Sequence, residues 1–171
     1  MIRALCISGI LLGLASVAVA QQPSASPHWR LVWSDDFNGP NGSSFDPSKW
    51  TAEVGGSGWG NHELEYYTAR KDNVFQRDGN LVIIARREEY TTAGTTWHYT
   101  SARLKTFGKF SQKYGRFEAR IKIPAGQGMW PAFWMLGDDI HDNHWPACGE
   151  IDIVENIGRE PSTVHGTLHG P

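Results

Sequence analysis

Cysteine is almost missing from this chain. There are two in 171 residues, Cys6 and Cys148. Cys6 lies in an apolar run, residues 4–19, which follows Met1-Ile2-Arg3 and leads into Ala18-Val19-Ala20. One early cation, an apolar stretch and small residues at −3 and −1 describe a secretory signal peptide over residues 1–20, cut after Ala20. The run is broken by Ser8, Gly9, Gly13 and Ser16 and is shorter than the ~20 apolar residues a bilayer span needs. Cleavage leaves Cys148 alone, so no internal disulfide is available and stability has to come from a core. The expected localisation is secreted and extracellular, with no membrane attachment after cleavage. No other apolar run is long enough to span a membrane.

Excess positive charge is also missing. The chain has 16 Lys+Arg against 18 Asp+Glu, and losing residues 1–20 removes one base and no acid, leaving a net charge of −3. No basic patch of the kind that binds nucleic acid is visible. Helical periodicity is nearly absent as well. What is present is apolar and aromatic residues, 40% hydrophobic with eight Trp, which excludes a disordered chain. Gly and Pro (19 and 9) punctuate short β-rich runs. Residues 21–171 therefore read as one all-β domain, a sandwich or barrel. Strands are expected at 30–34, 63–67, 81–86, 98–104, 115–123, 132–136, 150–154 and 164–168. The cleanest alternation is Arg116-Phe117-Glu118-Ala119-Arg120-Ile121-Lys122-Ile123, with charges on even positions and apolar groups on odd ones. Leu81-Val82-Ile83-Ile84, apolar on both faces, reads as a central strand. Asn41-Gly42-Ser43 is either a turn or an N-glycosylation acceptor.

The most informative segment is Gly149-Glu150-Ile151-Asp152-Ile153-Val154-Glu155-Asn156. On a strand, Glu150 and Asp152 share a face, and Ile151 and Ile153 point the other way, into a core. Glu155 would join the isoleucines by strict alternation, where a buried unpaired carboxylate costs several kcal/mol. One extra residue, a β-bulge around Ile153-Val154, returns Glu155 to the polar face. The two Glu side chains could then approach the ~5–5.5 Å carboxyl separation of retaining glycosidases. Three carboxylates this close cannot all ionise cheaply, so one should hold a proton at neutral pH. A solvated acidic strand and a cation site are the competing readings; a hard-cation loop usually adds Asn, Gly turns and backbone carbonyls.

Glu-Ile-Asp-Ile-Val-Glu resembles the bulged catalytic strand of glycoside hydrolase family 16. Gly58-Trp59-Gly60-Asn61-His62-Glu63-Leu64, Thr100-Ser101-Ala102-Arg103-Leu104, Met129-Trp130-Pro131-Ala132-Phe133-Trp134 and Val164-His165-Gly166-Thr167-Leu168-His169 resemble segments of its laminarinase-like endo-1,3-β-glucanase branch. The resemblance runs in order through nearly the whole of residues 33–171. It implies a concanavalin-like β-jelly-roll of two curved antiparallel sheets, with a cleft across the concave one. It also implies retaining hydrolysis of internal 1,3-β or mixed 1,3-1,4-β bonds in laminarin-type glucans. Glu150 matches the nucleophile, Glu155 the acid/base, and Asp152 the residue that orients the nucleophile. Trp130, Trp134 and Trp145 match or neighbour cleft positions, where a flat indole suits the apolar face of a sugar. Asn61 matches a residue that binds sugar hydroxyls, and Arg103 one that hydrogen-bonds near the nucleophile. His165 would face the cleft with Thr167 and His169. No cofactor is implied for catalysis. A structural calcium is, with the carbonyl of Gly79 matching one ligand and Asp36 near another. The implied partner is a β-glucan, bound by a monomer. Family domains extend for roughly another half of this length, so the resemblance covers an N-terminal part of such a domain. Cys148 reads as a small buried packing residue. The alternative function is a non-catalytic glucan-recognition module on the same fold, which would need none of the three acids.

Overall fold

A computed structural model describes residues 29–171. The expected signal peptide and Cys6 lie outside the described residues. The chain divides into two units, 1–34 and 35–171. In the first, residues 29–34 carry no strand, so the strand expected at 30–34 is not formed.

The second unit holds ten strands and, among the described residues, no helix. They are β1 (Thr51–Glu53), β2 (Tyr66–Tyr67), β3 (Val74–Arg77), β4 (Asn80–Ile83), β5 (Arg86–Thr92), β6 (Thr95–Ser101), β7 (Arg103–Lys105), β8 (Ala132–Leu136), β9 (Glu150–Glu155) and β10 (His165–His169). They pair in four ladders: β1-β7, β10-β9-β8, β2-β6-β5 and β3-β4. All pairs are antiparallel except β2-β6, which is parallel. Two curved antiparallel sheets were expected; the described residues form four shorter ladders, one of them with a parallel pair.

Two tight hairpins follow from their turn residues. Asp78 and Gly79, both at positive φ (50° and 69°), join β3 to β4, and Ala93 and Gly94 (49° and 78°) join β5 to β6. Positive φ at both central residues is the twist that suits a two-residue hairpin. The Asn41 side chain braces the first turn, donating to Asp78 Oδ1 and accepting from the Asp78 N–H, each at 2.8 Å. Its amide nitrogen is thereby engaged, which favours the turn reading of Asn41-Gly42-Ser43.

Three sequence expectations need correction. Residues 115–123 form no strand despite their alternation. Alternation states which face each side chain prefers, but a strand also needs a ladder partner, and none pairs there among the described residues. The Leu81–Ile84 run is not central: β4 pairs only with β3, and Ile83 is 48% exposed. The single strand expected at 98–104 is two, split at the buried Ala102, with β6 going to β5 and β7 to β1.

Two of the ladders, β3-β4 and β2-β6-β5, meet at a buried polar clamp rather than a large apolar core. Among the described residues the buried apolar side chains are only Val74 and Ala102. Asn73, with no exposed surface, accepts from Thr68 Oγ1 (2.6 Å) and Arg70 Nη2 (3.1 Å). It donates to the Ile84 carbonyl (3.1 Å) and to Thr100 Oγ1 (2.9 Å). One asparagine so ties the β3-β4 hairpin to β6 and to the segment after β2. Thr100 and Arg70 also bond Glu88 on β5, and these bonds hold the Glu88 carboxyl below its ordinary range.

Candidate active site

The β8-β9-β10 ladder carries the acidic segment. Its register places three cross-strand rows on one face: Leu136-Glu150-His169, Trp134-Asp152-Thr167 and Ala132-Glu155-His165. Directly opposed residues in a ladder share a face. The rows stay aligned because β9 contains one extra residue: Phe133 pairs with Val154 and Trp134 with Asp152, so Ile153 has no partner of its own. The same shift recurs against β10, between His165-Glu155 and Thr167-Asp152. This is the expected bulge, and it brings Glu155 onto the face of Glu150 and Asp152.

The opposite face carries Met135, Ile151 and Leu168 in one row. Ile153 is half-buried, but Ile151 is 45% exposed and Leu168 77% exposed. The expectation that both isoleucines enter a core therefore fails for Ile151. No layer covers that end of the face among the described residues.

Two glycines fix the loops around the acidic strand. The Gly137 N–H donates to the Gly149 carbonyl at 3.0 Å, closing the loop from β8 to β9. A Cβ on Gly137 would overlap the Cys148 carbonyl. After β9 the Gly158 N–H donates to the Met129 carbonyl (2.8 Å), and a Cβ there would overlap the Gly126 carbonyl. These are close backbone approaches that only glycine permits. Cys148, expected to be buried, is half-buried and free.

The three carboxylates sit in different surroundings. Asp152 is 5% exposed, and its Oδ2 is buried without a hydrogen-bond donor. His169 Nε2 lies 3.2 Å from that oxygen and 3.9 Å from Glu150 Oε1. Burial, then the adjacent Asp152 charge, push the Glu150 carboxyl above its ordinary value, while His169 and the Trp145 indole pull it down. Glu155 is half-buried and accepts from Trp130 Nε1 at 3.0 Å. Trp145 is 55% exposed, its ring 5.7 Å from that of His169. His165, opposite Glu155, has a buried Nε2 with no hydrogen-bond partner, 4.0 Å from Glu160 Oε2.

Arg103 departs from its expected place. Its Nε pairs with Glu53 Oε2 at 2.6 Å rather than with Glu150, and Lys105 takes the other Glu53 oxygen at 2.7 Å. The guanidinium lies between the rings of Trp59 (4.8 Å) and Trp134 (4.7 Å). Such a stacked cation is held by charge and by both ring faces. Trp134 stands opposite Asp152, so Arg103 borders the acidic face through that ring. Asn61 is exposed in its loop and donates to Glu63 Oε1 (3.3 Å), and Glu63 accepts from Tyr67 Oη at 2.6 Å. Burial and Glu63 raise the Tyr67 hydroxyl well above its ordinary value. Two contributors were not legible. Glu53 and Trp59 meet Arg103 only through the fold, whereas the parity of His169 with His165 and Thr167 was a usable signal.

Asp36 is exposed, and Gly79 is the second residue of the β3-β4 turn. Among the described residues the one group of three clustered His, Cys or acidic side chains suited to a metal is Glu150, Asp152 and His169, and Asp36 is not part of it. Among the described residues no helix is long and apolar enough to cross a membrane.

Comparison with known proteins gives a consistent result. A beta-glucanase of Rhodothermus marinus is 47% identical over 98% of this chain and 57% of its own length. The solved laminarinase of that organism matches with TM-score 0.77 and 54% identity, over 84% of this chain and 56% of its own. The laminarinase catalytic domain of Thermotoga maritima matches with TM-score 0.77 and 50% identity, over 84% and 57%. The chain thus spans a little over half the length of these relatives. The sequence profile of glycosyl hydrolases family 16 matches residues 61–171, and with these likenesses it places the chain in that family.

Proposed function

We propose that this chain carries the catalytic strand of a secreted, retaining endo-β-glucanase on a jelly-roll fold. It would cleave internal 1,3-β bonds of laminarin-type polysaccharides, with mixed 1,3-1,4-β-glucan as the next substrate to test. The single observation that carries the reading is the bulged register that lines up Glu150, Asp152 and Glu155 on one face of β9. The beta-glucanase and laminarinase relatives support the substrate class, and the leader-like residues 1–20 support export.

In this reading Glu155 protonates the glycosidic oxygen while Glu150 attacks the anomeric carbon. A covalent glycosyl-enzyme forms, Glu155 becomes the base, and water releases the sugar with net retention. The surroundings of Glu150 suit a nucleophile. Its charge is opposed by burial and by Asp152, and that opposition disappears when the carboxylate becomes a neutral ester. His169 and the Trp145 indole work against that rise and favour the ionised form. Trp130 fixes the Glu155 carboxyl through its N–H. Trp134, Trp145 and the Arg103-Trp59 stack offer ring faces and donors for neighbouring sugars.

The test is reducing-end release from laminarin, lichenan and agarose. Laminarin should be cleaved fastest. Glu150→Gln should lower kcat by roughly 10⁴-fold or more, as loss of a covalent nucleophile does, and retain glucan binding. Binding without any release by the unaltered chain would instead identify a recognition module.

A further inference from the structure

The Glu150-Asp152-His169 cluster also has the chemistry of a transition-metal site. One donor atom from each of these residues lies within 4.8 Å of the other two. His169 Nε2 is 3.2 Å from Asp152 Oδ2 and 3.9 Å from Glu150 Oε1. A tetrahedral zinc ion bound at about 2.0–2.2 Å wants its donors about 3.4 Å apart, so small side-chain rotations would complete the set. A second observation is the state of the buried Asp152 oxygen. Asp152, 5% exposed, has a buried Oδ2 that makes no hydrogen bond, and the His169 nitrogen 3.2 Å away pairs with it only when that ring is protonated. Such an orphan acceptor is costly unless a cation or donor occupies the space before it.

The donor types select the ion. One imidazole and two carboxylates are too few, and too nitrogen-containing, for calcium or magnesium, which want six or more oxygens. They suit zinc or another borderline dication, with a fourth position left open. The open side is the cleft face, because Glu150 and His169 keep partial exposure while Asp152 lies beneath them. Two adjacent carboxylates that repel each other would both be attracted to a dication.

We propose that Glu150, Asp152 and His169 form a zinc-binding site, and that a zinc ion held there excludes the glucan by occupying the nucleophile. The exclusion rests on the function proposed above; the binding does not.

The experiment is calorimetric titration of zinc chloride into the full chain in a non-chelating buffer near neutral pH. One site per chain is expected, weakened about tenfold or more in His169→Gln and in Glu150→Gln, as loss of a ligand demands. It should be unchanged in His141→Gln/His144→Gln, which removes two exposed histidines of the β8-β9 loop. A second measurement uses the unaltered chain and needs no variant to fold. Acylation of histidines in the unaltered chain by diethyl pyrocarbonate, located by peptide mass, should be blocked by zinc at His169 and not at His141 or His144. Undiminished binding in His169→Gln, no binding at millimolar zinc, or no protection of His169 would overturn the proposal. Zinc should inhibit laminarin cleavage competitively and reversibly on chelation. Zinc binding by a chain that never cleaves glucan would leave the site standing and remove the glucanase reading. Glucan cleavage with no zinc binding would do the reverse.

Discussion

Replacing Asn73 by alanine is the sharpest test of how this fold is held together. Asn73 is fully buried and makes four side-chain hydrogen bonds, two accepted and two donated. Three involve neutral partners, each contributing about 0.5–1.5 kcal/mol net, and the one from Arg70 contributes more because it is charge-assisted. Thr100 can keep its bond to Glu88, but the half-buried Ile84 carbonyl would lose its side-chain donor. The expected loss is about 3–5 kcal/mol. That is a large share of the ~5–15 kcal/mol by which domains are stable, and little apolar core stands behind it. Urea unfolding followed by tryptophan fluorescence would measure the change, with an unaltered m-value confirming that the same surface is exposed. Asn80→Ala is the control. That asparagine is exposed and bonds mainly within its own turn, so it should cost under ~1 kcal/mol. A loss below ~1 kcal/mol in Asn73→Ala would refute the view that this clamp joins the β3-β4 and β2-β6-β5 ladders.

Glu150→Gln should raise the melting temperature at neutral pH. The folded carboxyl titrates above its ordinary value, so the fold is penalised for ionising it at pH values above the raised value. The gain should shrink as pH falls and vanish below the ordinary value of 4.5; a gain independent of pH would contradict that cause. Gly137→Ala should destabilise the chain and lower activity together, because the added Cβ meets the Cys148 backbone just before β9. An unchanged melting temperature would show that the loop has room. Trp130→Phe keeps the ring and removes the donor to Glu155. A half-exposed charge-assisted bond is worth about 1.5 kcal/mol, so kcat should fall about tenfold with KM little changed. A raised KM with normal kcat would make Trp130 only a sugar platform.

How much of this was readable depends on what each inference used. The bulge was legible because side-chain parity is binary: Glu155 faces its fellow acids only if β9 gains a residue. The strands β8, β9 and β10 were legible as short β-rich runs, but their pairing into one ladder was not. The apparent strand at 115–123 was not, because alternation says nothing about whether a neighbour will pair. Ile83 and Ile151 misled because an apolar residue states a preference for burial, and burial needs a covering layer. Arg103 was misplaced because its partner, Glu53, lies fifty residues earlier and meets it only through the β1-β7 register. Asn73 carried no signal at all, since nothing local distinguishes a buried asparagine from a turn former.

The most direct test of the central claim is to trap the nucleophile. A 2-deoxy-2-fluoro glucan oligosaccharide with a good leaving group should form a stable glycosyl ester with the chain, and peptide mass mapping locates it. The account predicts one adduct per chain, on Glu150, formed more slowly in Asp152→Asn and absent in Glu150→Gln. An adduct on Glu155, or laminarin cleavage that proceeds with inversion and no adduct, would contradict it.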